Sequence, residues 1–143
     1  MNRAALIAVA LIPVPVPAFA DPACGLYQYR ARITDVCDGD SVTADVDLGF
    51  HTWIHDEKFR LLGIDTPEVT GASKAAGIAA RDALKERIEG KELIICTVKG
   101  ANGADKREKF GRYLVKIYVG DELINDWMIA QGHAVPYDGG PRD

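Results

Sequence analysis

The sequence predicts a mainly β chain with two helices, its five strands closed into a barrel. Three observations carry that prediction. Apolar and polar residues alternate through the first third of the chain, an Asp-Gly pair separates two such stretches, and the apolar period then switches to the helical one and back.

The first strand starts at Tyr27, where Tyr27, Tyr29, Ala31 and Ile33 alternate with Gln28, Arg30, Arg32 and Thr34. The break "CDGDS" follows, with Asp38-Gly39 as a tight hairpin signal. In the second strand Val42, Ala44, Val46 and Leu48 alternate with Thr43, Asp45 and Asp47. A loop at Gly49-Phe50 leads to a third strand from about Thr52 to Ile64. The period then changes. Ala76, Ala80, Ala83, Leu84, Arg87 and Ile88 share one helical face, with Ser73 as candidate cap and Gly90 as stop, so a helix is expected over about Ser73 to Glu89. "ELIICTV" is the fourth strand, "KGANGADKREKFG" a polar loop, and "RYLVKIYV" the fifth strand. Beyond Gly120-Asp121, Ile124, Trp127 and Met128 form the apolar stripe of a short helix. The tail "PYDGGPRD" is turn-rich and expected to fray. Three strands, a helix, two strands and a helix is the order of the five-stranded Greek-key OB barrel, a fold that binds oligonucleotides and sugars without the order itself naming a function.

At 143 residues the chain is long enough for one domain with a core and too short for two. Its 48% hydrophobic content excludes a disordered chain. The first twenty residues differ from the rest: Arg3, an apolar run broken by prolines, then "AFA" before Asp21. This reads as an export signal cleaved after Ala20, leaving residues 21–143 as the domain, in the periplasm or the medium. The run is too short and too proline-broken to span a bilayer, and no later one is long enough, so no membrane anchor is expected. Export permits disulfides. Cys24, Cys37 and Cys96 allow one bridge in three possible pairings and leave one thiol over. His51, His55 and His133 are read as surface or strand residues rather than metal ligands. Loss of Arg3 takes the formal charge from −4 to −5, so bulk attraction for a nucleic-acid backbone is excluded as the main source of any binding.

Charge is concentrated in three places at element ends: Asp38-Gly39-Asp40, then Arg60 with Asp65-Thr66-Pro67-Glu68, then "KREKFGR" from Lys106 to Arg112. Each alone is an ordinary turn or a solvated loop. Together they supply hard oxygen ligands for Ca²⁺ or Mg²⁺ (Asp40, Asp65, a threonine carbonyl), two arginines that fork onto phosphate oxygens, and one further carboxylate able to act as general base.

"DGDSV", "RLLGIDTPE" and "EKFGR", in that order and on these elements, resemble the thermonuclease (SNase-like) family of OB-fold phosphodiesterases, over about Arg30 to Tyr137. The resemblance implies Asp40, Asp65 and the Thr66 carbonyl as ligands of a catalytic Ca²⁺, with Asp38 acting nearby through water. It implies Glu68 as general base or water-positioning group, and Arg60 and Arg112 as clamps on the scissile phosphate. It further implies cleavage of DNA and RNA to 3′-phosphate and 5′-hydroxyl ends. A monomer is expected. Lys109 is implied as a contact to a terminal phosphate, and Tyr137 as the aromatic that stacks on a base. Ser41 stands where the family usually has threonine, Phe110 where a tyrosine is common, and the family's third, C-terminal helix is expected to be missing. The acidic balance makes single strands the expected substrate. A catalytically silent binding module of the same family is the alternative, and retention of Asp40, Arg60, Asp65, Glu68 and Arg112 argues for the enzyme.

Overall fold

The computed structural model describes residues 24–140; the expected export signal, residues 1–20, lies outside them. Five long strands follow the expected order: β1 (Gln28–Asp38), β2 (Ser41–Gly49), β3 (Thr52–Leu61), β5 (Glu92–Thr97) and β6 (Tyr113–Val119). Two-residue strands β4 (Ile64–Asp65), β7 (Glu122–Leu123) and β8 (Val135–Pro136) are interspersed, with helices α1 (Lys74–Ile88) and α2 (Ile124–Ala130). The ladders run β3-β2-β1-β5-β6, and a parallel β3–β6 pairing closes them into a barrel. Closure matters for function because it sets Arg60 beside Leu114, two residues from Arg112.

The barrel is filled by the inward faces of the strands, among them Ile33, Val42, Ala44, Leu61, Ile95, Val115 and Ile117. Alternation in β1 holds only as far as Ile33. Register shifts at Ile33/Asp35 and Val36/Asp38 insert bulges, so Val36 rather than Asp35 or Cys37 is the next buried residue. Tyr27 falls outside the strand, exposed and in the left-handed region at φ 69°, where the expectation had placed it first on the buried face. Helix α1 buries Gly77, Ala80, Leu84 and Ile88, whereas Ala76, expected on that face, is exposed. Ser73 makes no cap to the helix; its hydroxyl donates to the Glu68 carbonyl at 3.3 Å. In α2, Ile124 and Met128 are buried and Trp127 packs against the core from its edge. Asn125 is also buried and fully used: its amide donates to the Leu62 and Val115 carbonyls, and its oxygen accepts from the Ile117 N–H. It thereby clips α2 across the closing seam of the barrel.

Two expectations about chain ends are corrected. The third strand stops at Leu61, turns at Leu62-Gly63, and resumes as β4. The segment expected to fray is tied down where it begins, because Val135–Pro136 pairs with Ile64–Asp65 and the Tyr137 N–H donates to the Gly63 carbonyl. Of the three cysteine pairings, the structure makes Cys24–Cys96, which fastens the lead-in of β1 to β5 and leaves Cys37 exposed and free.

Candidate active site

The β1–β2 hairpin turns on Gly39 and Asp40, since Asp38 and Ser41 are paired across it. Glycine is needed here for room rather than for a left-handed backbone. A Cβ on Gly39 would lie 2.8 Å from the Ala80 Cβ and from the Thr66 Cγ2. The turn can therefore press onto α1 and the start of the 66–68 segment. Asp38 accepts the Asp40 N–H at 3.0 Å, an Asx-type turn, and the Leu61 N–H donates to the Asp40 carbonyl at 2.8 Å. Those bonds fix Asp40 at the end of β3, only 3% exposed.

Both oxygens of the Asp40 carboxylate are engaged. Oδ1 accepts from Arg60 Nη1 at 2.6 Å and from the Ser41 hydroxyl at 3.1 Å. Oδ2 accepts the Thr66 N–H at 3.1 Å and its hydroxyl at 3.2 Å. The same Arg60 donates through Nη2 to Asp65 Oδ1 at 2.8 Å, so one buried guanidinium spans two carboxylates. Burial pushes the Asp40 carboxyl up to about 6, over the opposing pull of Arg60 and with help from the neighbouring Asp38 carboxylate. Such a buried cluster is held together by its geometry and gives up much of its Coulombic gain to desolvation.

Arg112 enters from the start of β6. Glu108 Oε1 accepts both its backbone N–H, at 3.2 Å, and its Nε–H, at 3.1 Å, while Nη1 donates to the Ser41 hydroxyl at 2.7 Å. Burial opposes ionisation of Glu108, yet the Phe110 N–H and Arg112 hold its carboxyl below the ordinary value. Arg107 braces this turn: it lies 3.8 Å over the Tyr113 ring, donates to the Gly111 carbonyl at 3.1 Å, and also bonds the Tyr113 hydroxyl.

Asp40, Arg60, Asp65, Thr66 and Arg112, named from sequence, are thus joined in one hydrogen-bonded network, with Arg112 attached through Ser41. Asp38, Glu68 and Lys109 line the same cleft, of about 290 Å³. Glu68 is exposed at its edge, carried by a segment whose carbonyl lies against α1 at Gly77. Tyr137 is placed differently. It lines a wider groove of about 690 Å³ that shares Arg60, Lys109, Phe110 and Arg112 with the cleft, and its ring centre is 6.0 Å from the Arg60 guanidinium carbon. Three residues of the site carried no role in the sequence reading: Ser41, Glu108 and Gly77. The i,i+4 spacing of Glu108 and Arg112 was the signal available for the second. Strand alternation predicts an outward, solvated Ser41 and conceals the first.

The donor set fits a hard divalent cation. Asp40, Asp65 and the Thr66 carbonyl offer oxygen only, and the two carboxylates already converge on one cationic group, Arg60. Among the described residues no three His, Cys, Asp or Glu side chains form a ready-made ion cage, so water would complete the shell of any ion held here.

Comparison with known proteins gives the family of the chain. The sequence model of the family described as "Staphylococcal nuclease homologue" matches residues 58–141, more than half of the chain. An uncharacterized protein of Methanocaldococcus jannaschii is 30% identical over 133 residues, covering 77% of this chain and 60% of its own length. A protein named Thermonuclease, from Staphylococcus intermedius, is 29% identical over 102 residues, covering 69% of this chain and 54% of its own. The chain therefore spans little more than half the length of these relatives. The matched family segment carries Arg60, Asp65, Thr66, Glu68, Lys109, Arg112 and Tyr137; Asp40 and Ser41 lie outside it and reach the site through the β1–β2 turn.

Proposed function

The chain belongs to the staphylococcal nuclease homologue family, and from that premise we propose that it is an exported, Ca²⁺-dependent phosphodiesterase that cleaves DNA and RNA to 3′-phosphate and 5′-hydroxyl ends, single strands preferred. The family indicates a nuclease or nucleic-acid-binding function. The observation that carries the choice of a nuclease is the single network that joins two arginines, Asp40, Asp65 and Thr66 beside a cleft lined by Glu68.

Each group has work suited to its chemistry. Asp40, Asp65 and the Thr66 carbonyl would hold the cation, which when bound polarises a phosphoryl oxygen as a Lewis acid. Glu68, on the exposed edge of the cleft, takes a proton from the attacking water. Arg60 and Arg112 present guanidinium N–H groups to the phosphate where negative charge grows as five-coordinate phosphorus forms. They are held in advance, Arg60 by Asp40 and Asp65, Arg112 by Glu108 and Ser41, so little reorganisation opposes the reaction. Lys109, Phe110 and Tyr137 line the adjoining groove, where a flexible strand can lay a phosphate and a base. Support for export comes from the leader-like first twenty residues and from the Cys24–Cys96 bridge, which an oxidising compartment preserves. No described helix is long and apolar enough to cross a membrane.

The test is incubation of residues 21–143 with labelled single-stranded DNA and RNA in Ca²⁺, Mg²⁺ or chelator, followed by analysis of product ends. Ca²⁺-dependent cleavage leaving 3′-phosphates supports the proposal. Binding without cleavage under any metal replaces it with the silent binding module.

A further inference from the structure

Ser41 is bonded both to Arg112 and to the Asp40 carboxylate that holds Arg60. Its hydroxyl accepts from Arg112 Nη1 at 2.7 Å and lies 3.1 Å from Asp40 Oδ1. A guanidinium only donates, so the hydroxyl proton must point at the carboxylate. The bond direction is therefore set, from Arg112 through Ser41 to the group that also holds Arg60. Ser41 is 3% exposed and faces Arg60 across the β2–β3 ladder, where burial shields both bonds from water.

Glu108 does not fix Arg112 by itself. It takes the backbone N–H and the Nε–H, which anchors the stem and leaves the guanidinium able to pivot about one side-chain bond. The second side-chain bond, at Nη1, removes that freedom. Resting on the nuclease reading above, we propose that Ser41 is a positioning residue, whose hydroxyl sets the plane of the Arg112 guanidinium against Asp40 and hence against the scissile phosphate. Asp40 keeps its Arg60 and Thr66 bonds without Ser41, so the cation site is not what Ser41 maintains. Threonine carries the same hydroxyl and can do the same work.

The experiment compares wild type, Ser41→Ala and Ser41→Thr in the mature chain. It measures kcat and KM on a single-stranded oligodeoxynucleotide with Ca²⁺, Ca²⁺ affinity by calorimetry, and the guanidinium nitrogen NMR signals of Arg112 without substrate. Ser41→Ala is expected to lower kcat about tenfold or more, the usual worth of a hydrogen bond to a charged group, with KM and Ca²⁺ affinity moved by no more than about twofold. Ser41→Thr restores kcat. The two Nη signals of Arg112 are expected to be distinct in wild type and in Ser41→Thr, and merged by rotation in Ser41→Ala. A Ser41→Ala enzyme with wild-type kcat overturns the proposal, as does a folded Ser41→Thr enzyme as slow as the alanine variant. Merged Nη signals in wild type overturn it without reference to turnover. A wild type that neither binds Ca²⁺ nor cleaves overturns the nuclease reading; in that case distinct Nη signals merged by Ser41→Ala still support the hold of Ser41 on Arg112.

Discussion

Gly77→Ala should slow the enzyme while sparing most of its stability. In an exposed helix this substitution stabilises by about 1 kcal/mol, because alanine has the better helix propensity. Gly77 is not exposed. A Cβ there would stand 2.2 Å from the Glu68 carbonyl oxygen, 2.4 Å from its carbon and 2.7 Å from the Pro67 oxygen. All three are backbone atoms, so no side-chain rotation relieves the contact, and ordinary van der Waals distance requires a shift of about 1 Å. Either α1 moves or the 67–68 segment does. The helix is anchored by Ala80, Leu84 and Ile88, each 0% exposed, whereas Glu68 lies on an exposed coil. The coil should yield. Overpacking typically costs about 1–3 kcal/mol, and with backbone atoms as all three neighbours the upper end applies, for a net loss of about 2 kcal/mol after the propensity gain. The larger effect falls on turnover, since a displacement of about 1 Å in a reacting group can cost roughly 10²-fold. Urea unfolding and single-turnover cleavage of a single-stranded oligonucleotide by the same preparation separate the two effects. A Gly77→Ala protein at least as stable as wild type, with unchanged turnover, would refute both the close approach and the role given to Glu68.

Other consequences can be measured alongside. Glu68→Gln and Arg112→Ala should each lower kcat by about 10²–10³ in a protein that unfolds at the wild-type urea midpoint; near-normal cleavage by either removes it from the reaction. Asp40 titrates near 6 in the folded chain and near 3.8 when unfolded, so between those values the folded state keeps a proton that the unfolded chain has released. In Ca²⁺-free buffer its contribution to stability is therefore present below pH 4 and falls by about 3 kcal/mol as pH rises through 6, a slope Asp40→Asn should abolish in pH-dependent urea unfolding. The same proton competes with the cation, so Ca²⁺ affinity by calorimetry should weaken from pH 7 to pH 5, and a flat profile would exclude Asp40 as a ligand. Reduction of Cys24–Cys96, which closes a separation of 72 residues, should cost about 2–5 kcal/mol, read as a fall in Tm on adding a reductant.

Much of the molecule is legible from its residues in order. The period of apolar residues is a local property, so the five long strands and both helices could be placed within a few residues, and their order named the barrel. The candidate groups Asp40, Arg60, Asp65, Glu68 and Arg112 stood out because charge at strand ends is unusual and the motifs are specific. Alternation cannot see a bulge, because a bulge is a property of two strands; hence Val36, and not Asp35 or Cys37, turned inward unannounced. Helical spacing put Ala76 on the buried face, but the backbone of 67–68 comes so close that only Gly77 fits there.

Sequence alone supplied the chemical types: carboxylates, guanidinium groups and an acid beside a proline turn, each on an element whose ends it could mark. It could not supply their partners, since the bonds of Asp40 to Arg60 and Thr66 depend on the β1–β2 turn and the β2–β3 pairing, and the bond from Arg112 to Ser41 on the closing of β3 on β6. Pairing of β1 with β5 brings Cys24 to Cys96, and pairing of β8 with β4 ties Val135–Pro136 to Ile64–Asp65, ordering a segment whose composition alone reads as loose. The fold also turned a serine at the start of β2 into a buried link, bonded to Arg112 on one side and to Asp40 on the other. A hydroxyl on one strand has no fixed partner until the fold brings a donor to one side of it and a carboxylate to the other.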